Sequence, residues 1–183
     1  SNTQVGTWIT SSNSNIIRNV KSTSNNDVGF YFVDSFFNNL TNINSSYNSG
    51  EGALIFSSGL NIFNNLTMNS NVRKGIWMSS SYSNEFNSLK MDSSGMEAIF
   101  IDALSNSNNN LFKDVLITNT NLAYKDLVFN NAGIIGTQFS DVVKIGKYGF
   151  TGNGQKITVK KTGTGEIKFL DDINGVGQDF SEE

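Results

Sequence analysis

A chain of 183 residues and 20.0 kDa with a formal charge of −3 suits one domain, and 37% hydrophobic residues including 14 Phe are enough to build a core. The complete absence of His and Cys excludes imidazole-based triads, disulfide frameworks, thiolate metal sites and the usual zinc and copper ligands. The 28 Asn and 24 Ser fall between short apolar runs at regular intervals, so they read as turns and not as a disordered tract.

Taken in chain order, the first element is Gly6-Thr7-Trp8-Ile9-Thr10-Ser11-Ser12. It matches Gly75-Ile76-Trp77-Met78-Ser79-Ser80-Ser81 closely, so the chain is expected to open on the second strand of a repeating unit and to be an excised part of something longer. Ile17-Arg18-Asn19-Val20 follows, and blocks of the same kind recur as Phe37-Asn38-Asn39-Leu40, Phe63-Asn64-Asn65-Leu66, Phe86-Asn87-Ser88-Leu89, Phe112-Lys113-Asp114-Val115 and Phe139-Ser140-Asp141-Val142. Their starts are 20, 26, 23, 26 and 27 residues apart. Between them lies a second motif: Gly29-Phe30-Tyr31-Phe32, Leu54-Ile55-Phe56, Gly75-Ile76-Trp77-Met78, Ala98-Ile99-Phe100-Ile101 and Asp126-Leu127-Val128-Phe129.

Runs of three to five β-branched, aromatic and aliphatic residues bounded by Asn, Ser and Gly read as short strands. A unit of about 23 residues is too short for a propeller blade and lacks the Leu spacing of leucine-rich repeats. The fold class expected is all-β, a right-handed parallel β-helix of about six coils over residues 1–145. Like residues then stack about 4.8 Å apart. Leu40, Leu66, Leu89 and Val115 are expected to form an interior aliphatic ladder, and Phe37, Phe63, Phe86 and Phe112 an aromatic one. Asn39 and Asn65, with Asn19, Ser88 and Asp114, are placed at a polar bend.

Of the 28 Asn, 26 precede residue 132, so the composition changes there. Tyr148-Gly149-Phe150 and Lys156-Ile157-Thr158-Val159 flank Asn153-Gly154, a favoured hairpin turn, which predicts an antiparallel β extension or cap over 146–170. An acidic linker or tail over 171–183 follows. Lysines crowd 144–168, but the array carries no basic stripe, which disfavours nucleic acid. No apolar run approaches the roughly 20 residues of a membrane-spanning helix.

The unit Phe63-Asn64-Asn65-Leu66-Thr67-Met68-Asn69-Ser70-Asn71 running into Gly75–Ser81 resembles the parallel β-helix repeat family, with its NosD-like and carbohydrate-binding or sugar-hydrolase-type repeats. The likeness covers about residues 5–145. Gly163-Thr164-Gly165-Glu166-Ile167-Lys168-Phe169-Leu170, continuing to Ile173-Asn174-Gly175, is similar to the segment that follows such repeats in large archaeal surface proteins. These resemblances imply an extracellular or cell-surface location. They also imply that acidic-polysaccharide cleavage by aspartates with calcium must be considered.

For that chemistry the array offers Asp34, Asp92, Asp102 and Asp126, but no two share a phase on adjacent rungs. Sugar cleavage needs paired carboxyl groups roughly 5–10 Å apart. The expectation is therefore no catalytic residue, no metal site and no cofactor. The more informative positions are the middle residues of the second motif, Trp8, Tyr31, Ile55, Trp77, Phe100 and Val128. Period-two alternation turns them away from their better-buried flankers, giving an outward apolar ladder about 24 Å tall. Such a patch is seldom left exposed. It would contact another protein chain, stack on a cell-surface polysaccharide, be covered by its own chain, or hold an oligomer together. The function expected is a non-catalytic stalk, adhesion or interaction module, with a polysaccharide-binding or polysaccharide-cleaving domain as the alternative. Asn39, Asn44 and Asn65 head glycosylation sequons, Asn44 being the least compromised by the proposed bend.

Overall fold

The structure, a computed structural model, describes residues 3–102, 107–118, 121, 127–130, 137–140, 144–145, 148–151, 158–160 and 168–169. Every strand pairing among them is parallel and joins one coil to the next. The first sheet stacks Thr7–Thr10, Phe30–Val33, Ala53–Phe56, Ile76–Ser79, Ile99–Asp102, Leu127–Asn130 and Tyr148–Thr151. The second stacks Ile16–Lys21, Asn39–Asn44, Ile62–Thr67, Glu85–Asp92, Leu111–Thr118, Gln138–Ser140 and Thr158–Lys160, with Lys144–Ile145 and Lys168–Phe169 continuing beside it. The chain is a parallel β-solenoid. Its coil count, about five turns, differs slightly from the expected six.

The abundance of Asn and Ser has a backbone cause. Among the described residues eighteen non-glycine positions have positive φ, and all fall into four columns: Ser11, Asp34, Ser57, Ser80; Ser14, Phe37, Leu60, Ser83, Asn109; Asn19, Asn42, Asn65, Ser88, Asp114; and Ser24, Tyr47, Ser70, Ser93. Each coil turns its corners through left-handed residues, and short polar side chains tolerate that region best by bonding locally. The Asn19 column lies inside the second-sheet strands and is skipped by their register. That left-handed residue resets the alternation, so residues three apart, Leu40 and Ile43 or Phe63 and Leu66, both face inward.

Register corrects the sequence expectation in the second coil. Ile17 pairs with Leu40, Leu40 with Phe63, Phe63 with Phe86 and Phe86 with Phe112. The aromatic column therefore contains Leu40 in place of Phe37, and the aliphatic one is Val20, Ile43, Leu66, Leu89 and Val115. Phe37 sits at a left-handed corner, 61% exposed. The true block is Leu40-Thr41-Asn42-Ile43, three residues later, so Asn42 and not Asn39 belongs to the polar bend. With this frame the first three steps are all 23 residues. Inside, Phe63, Phe86 and Phe112 stack face to face at centroid distances of 4.8 and 4.7 Å, opposite Phe32, Ile55, Met78 and Ile101 of the first sheet.

Two interior amide columns escaped the sequence reading. In one, Asn38, Asn61, Asn84 and Asn110 stack, with the exposed Asn15 at the end of the column; in the other, Asn25, Asn48 and Asn71. Beyond the first member of each column, Oδ1 accepts both the backbone N–H and the side-chain N–H of the Asn one coil earlier, as Asn61 does from Asn38 at 2.9 and 3.0 Å. These amides supply the hydrogen bonds that the backbone cannot make where it turns between sheets, where a buried unpaired group would be costly. A serine column beside the first, Ser12, Ser35, Ser58, Ser81 and Ser107, accepts backbone N–H groups in the same way.

The expected antiparallel extension is not what the described strands form. Tyr148–Thr151 pairs in parallel with Leu127–Asn130, and Thr158–Lys160 pairs in parallel with Gln138–Ser140 in the other sheet. The two presumed arms of a hairpin are thus successive sides of a further coil, and stacking on an existing parallel edge satisfies their backbone groups without a hairpin. Asn153-Gly154, the boundary at 146 and the acidic tail 171–183 lie outside the described residues.

Candidate functional site

The outward column of the first sheet is built by register. Trp8 pairs with Tyr31, Tyr31 with Leu54, Leu54 with Trp77, Trp77 with Phe100 and Phe100 with Val128. Ile55 does not belong to it. Ala53 aligns with Phe30 and Ile76, so Ile55 points into the core, fully buried, and Leu54 takes the outward place. The missed signal was Ala53, a small flanker that made the apolar triplet look one residue later than it is. Trp8 is 64% exposed, whereas Tyr31, Leu54, Trp77, Phe100 and Val128 are half-buried. Trp8 meets Tyr31 edge to face at 5.4 Å, and Trp77 meets Phe100 likewise at 6.2 Å.

Beside the rings runs a second column, three residues earlier in each coil: Val28, Glu51, Lys74 and Glu97. It is aligned by the bonds from Gly6, Gly29, Gly52 and Gly75 N–H to the carbonyls of Val28, Glu51, Lys74 and Glu97. Lys74 Nζ lies 4.9 Å from the Trp77 ring centroid and 4.8 Å from that of Phe100, a cation–π arrangement. It is also 3.7 Å from Glu97 Oε2. The chain therefore covers part of its own ladder with a lysine. Two buried polar atoms here, Trp77 Nε1 and Glu97 Oε2, have no hydrogen-bond partner among the described residues.

Nearer the start of the array the face opens into a cleft of about 330 Å³, lined by Trp8, Tyr31, Leu54 and Trp77 together with the charged Asp27, Glu51 and Arg73. Glu51 is buried, and its Oε1 lies 4.0 Å from an Arg73 nitrogen. The cleft joins ring faces to both signs of charge, a combination suited to binding.

The carboxylates do not converge. Asp34 occupies a left-handed corner, Asp102 ends a first-sheet strand, and Asp92 ends a second-sheet strand where Thr118 Oγ1 donates to it at 2.7 Å. Asp126 lies outside the described residues. Among the described residues no group of three or more His, Cys, Asp and Glu is arranged to hold a metal ion, and no helix is long and apolar enough to cross a membrane. The Lys113 ammonium, bonded at 2.7 Å, holds the Glu85 carboxyl below its usual value. It sits on the second sheet, away from the cleft. Of the sequon residues, Asn39 and Asn65 are exposed, and Asn44 is half-buried with the Ser46 hydroxyl donating to its Oδ1 at 2.7 Å.

The coils and faces thus define a parallel β-solenoid with an aromatic, charged cleft on one side. No family model matches the chain, and no curated protein or solved structure does so either.

Proposed function

We propose that this solenoid is a non-catalytic interaction module of a secreted or cell-surface protein, which holds another protein chain against the outer face of its first sheet. The observation that carries the reading is the cleft itself: a stacked ring column, with Trp8 largely exposed, bordered by Asp27, Glu51 and Arg73. Large exposed aromatic side chains beside charged groups are the composition of interface anchors and their rims. The likeness of the Phe63–Asn71 unit to NosD-like repeats supports the surface location.

A second reading, polysaccharide binding, is favoured by the same rings, because Trp8, Tyr31, Trp77 and Phe100, set in one column of rungs about 4.8 Å apart, offer apolar ring surface to a sugar chain. The experiment is a binding and turnover screen against purified cell-envelope proteins and a panel of neutral and acidic glycans, with and without calcium. The module reading expects binding to a purified protein that falls at least tenfold in Trp8→Ala, with an unchanged circular dichroism spectrum. Glycan binding without turnover selects the second reading. Calcium-dependent release of unsaturated sugars overturns the non-catalytic assignment.

A further inference from the structure

The array contains two versions of one local arrangement, three coils apart. Val5-Gly6-Thr7-Trp8 and Lys74-Gly75-Ile76-Trp77 are separated by 69 residues, three steps of 23. Their backbones are bonded alike, Gly6 N–H to Val28 O at 2.9 Å and Gly75 N–H to Glu97 O at 3.0 Å. Each carries an edge-to-face pair of rings on adjacent rungs, Trp8 with Tyr31 and Trp77 with Phe100.

The later version is filled. Lys74 places its ammonium within 5 Å of both ring centroids, with Glu97 as counter-charge. In the earlier version the position of Lys74 is taken by Val5 and that of Glu97 by Val28, and both line the open cleft. Negative charge has not been lost there, because Asp27 and Glu51 line the same cleft. Among the described residues Arg73 is the only cation lining it; it reaches Glu51 at 4.0 Å and keeps 59% of its side chain exposed. The earlier ring pair therefore has the aromatic faces and carboxylates of a cation site, without the lysine that completes its sister.

We propose that the cleft formed by Trp8, Tyr31, Asp27 and Glu51 is an ammonium-binding site that receives a lysine side chain of the partner protein, as the Trp77–Phe100 pair receives Lys74. A ring pair attracts a cation through its negative faces, most strongly where water is partly excluded, and the two carboxylates supply the charge complementarity that orients a basic partner segment. Discrimination follows from the same features. A neutral side chain of equal length gains the apolar contact but loses the attraction to rings and carboxylates together. This inference rests on the interaction-module reading and gives it a chemistry.

The test uses the whole chain, whose two tryptophans give two indole N–H signals. Nα-acetyl-lysine N-methylamide is titrated into labelled protein and followed by nuclear magnetic resonance, with the Nε-acetylated compound as the neutral control. A saturable shift of the Trp8 indole signal is expected, with the control at least fivefold weaker. Glu51→Gln should lower the affinity at least threefold. Val5→Lys, which installs the missing lysine in cis and leaves every ring and carboxylate in place, should abolish the shift. No saturable shift, an equal response to the acetylated control, or undiminished binding by Val5→Lys overturns the proposal. If the probe fails while a purified partner still binds in a Trp8-dependent way, the ammonium site is wrong and the interaction module stands. If neither binds, both fall.

Discussion

Replacing Asn61 by Ala removes four hydrogen bonds from the solenoid interior. Its Oδ1 accepts from the backbone and side-chain N–H groups of Asn38, and its Nδ2 donates to Ser35 O at 2.8 Å and Asn84 Oδ1 at 3.0 Å. Not every partner is orphaned. Asn38 Nδ2 keeps the carbonyls of Ser12 and Phe36, and Asn84 Oδ1 keeps the Asn61 backbone N–H. What remains unsatisfied is the Asn38 backbone N–H and the Ser35 carbonyl, both in buried residues. At about 1–3 kcal/mol for each buried group left without a partner, the expected loss is roughly 2–6 kcal/mol. Urea unfolding followed by circular dichroism measures it. Hydrogen exchange at the Asn38 amide locates it, because that single N–H should lose protection ahead of its strand neighbours. Asn64→Ala is the matched control: its amide bonds to Asn39 and Asn87 lie on the outer face, and it should cost under about 1 kcal/mol. A cost for Asn61→Ala no larger than for Asn64→Ala would refute the claim that the buried amide column holds the corners.

Other outcomes follow from single positions. Phe37 holds a left-handed φ of 58° while largely exposed, so Phe37→Asn should stabilise the chain by about 1 kcal/mol, seen as a raised urea midpoint. Gly29→Ala would put a methyl group 2.0 Å from Ser45 Oγ and 2.3 Å from Asn48 Nδ2, disrupting a buried amide column; a loss of at least about 2 kcal/mol is expected by the same assay. Lys74→Met removes the cation over two rings and leaves the largely buried Glu97 without its counter-charge. Thermal unfolding should show a loss of about 1–3 kcal/mol. Glu85 has a carboxyl pKa lowered from 4.5 in the folded chain, so its bond to Lys113 contributes stability that is present above that ordinary value and lost as pH falls through the depressed one. Both side chains are about one-third exposed, so the contribution is under about 1 kcal/mol. Glu85→Gln should flatten the acid limb of the stability–pH curve by that amount.

The architecture was legible because stacking repeats side-chain type: Phe63, Phe86 and Phe112 announce their ladder by spacing alone. The second coil was misread because Phe37-Asn38-Asn39-Leu40 and Leu40-Thr41-Asn42-Ile43 both satisfy the same short pattern, and hydropathy favours the Phe. Only the corner geometry, which turns Phe37 outward, separates them. Ile55 failed for a related reason, since Ala53 fills an inward place with too little side chain to be noticed in a pattern of large residues. Asn38, Asn61 and Asn84 recur every 23 residues, but in a chain so rich in Asn their regularity is hidden among the outward Asn42 and Asn65. The Trp8 cleft depends on pairing between coils and on the contrast between Val5 and Lys74, which becomes visible only once both are aligned in register.

The step between stacked partners lengthens from 23 residues to 26 between Ser81 and Ser107, although Ser79 and Asp102 are still aligned one ordinary step apart. Three residues have thus been absorbed outside the paired segments without displacing the Phe86–Phe112 stack. A scaffold with this property can accept insertions where its path bends while its girders keep their alignment.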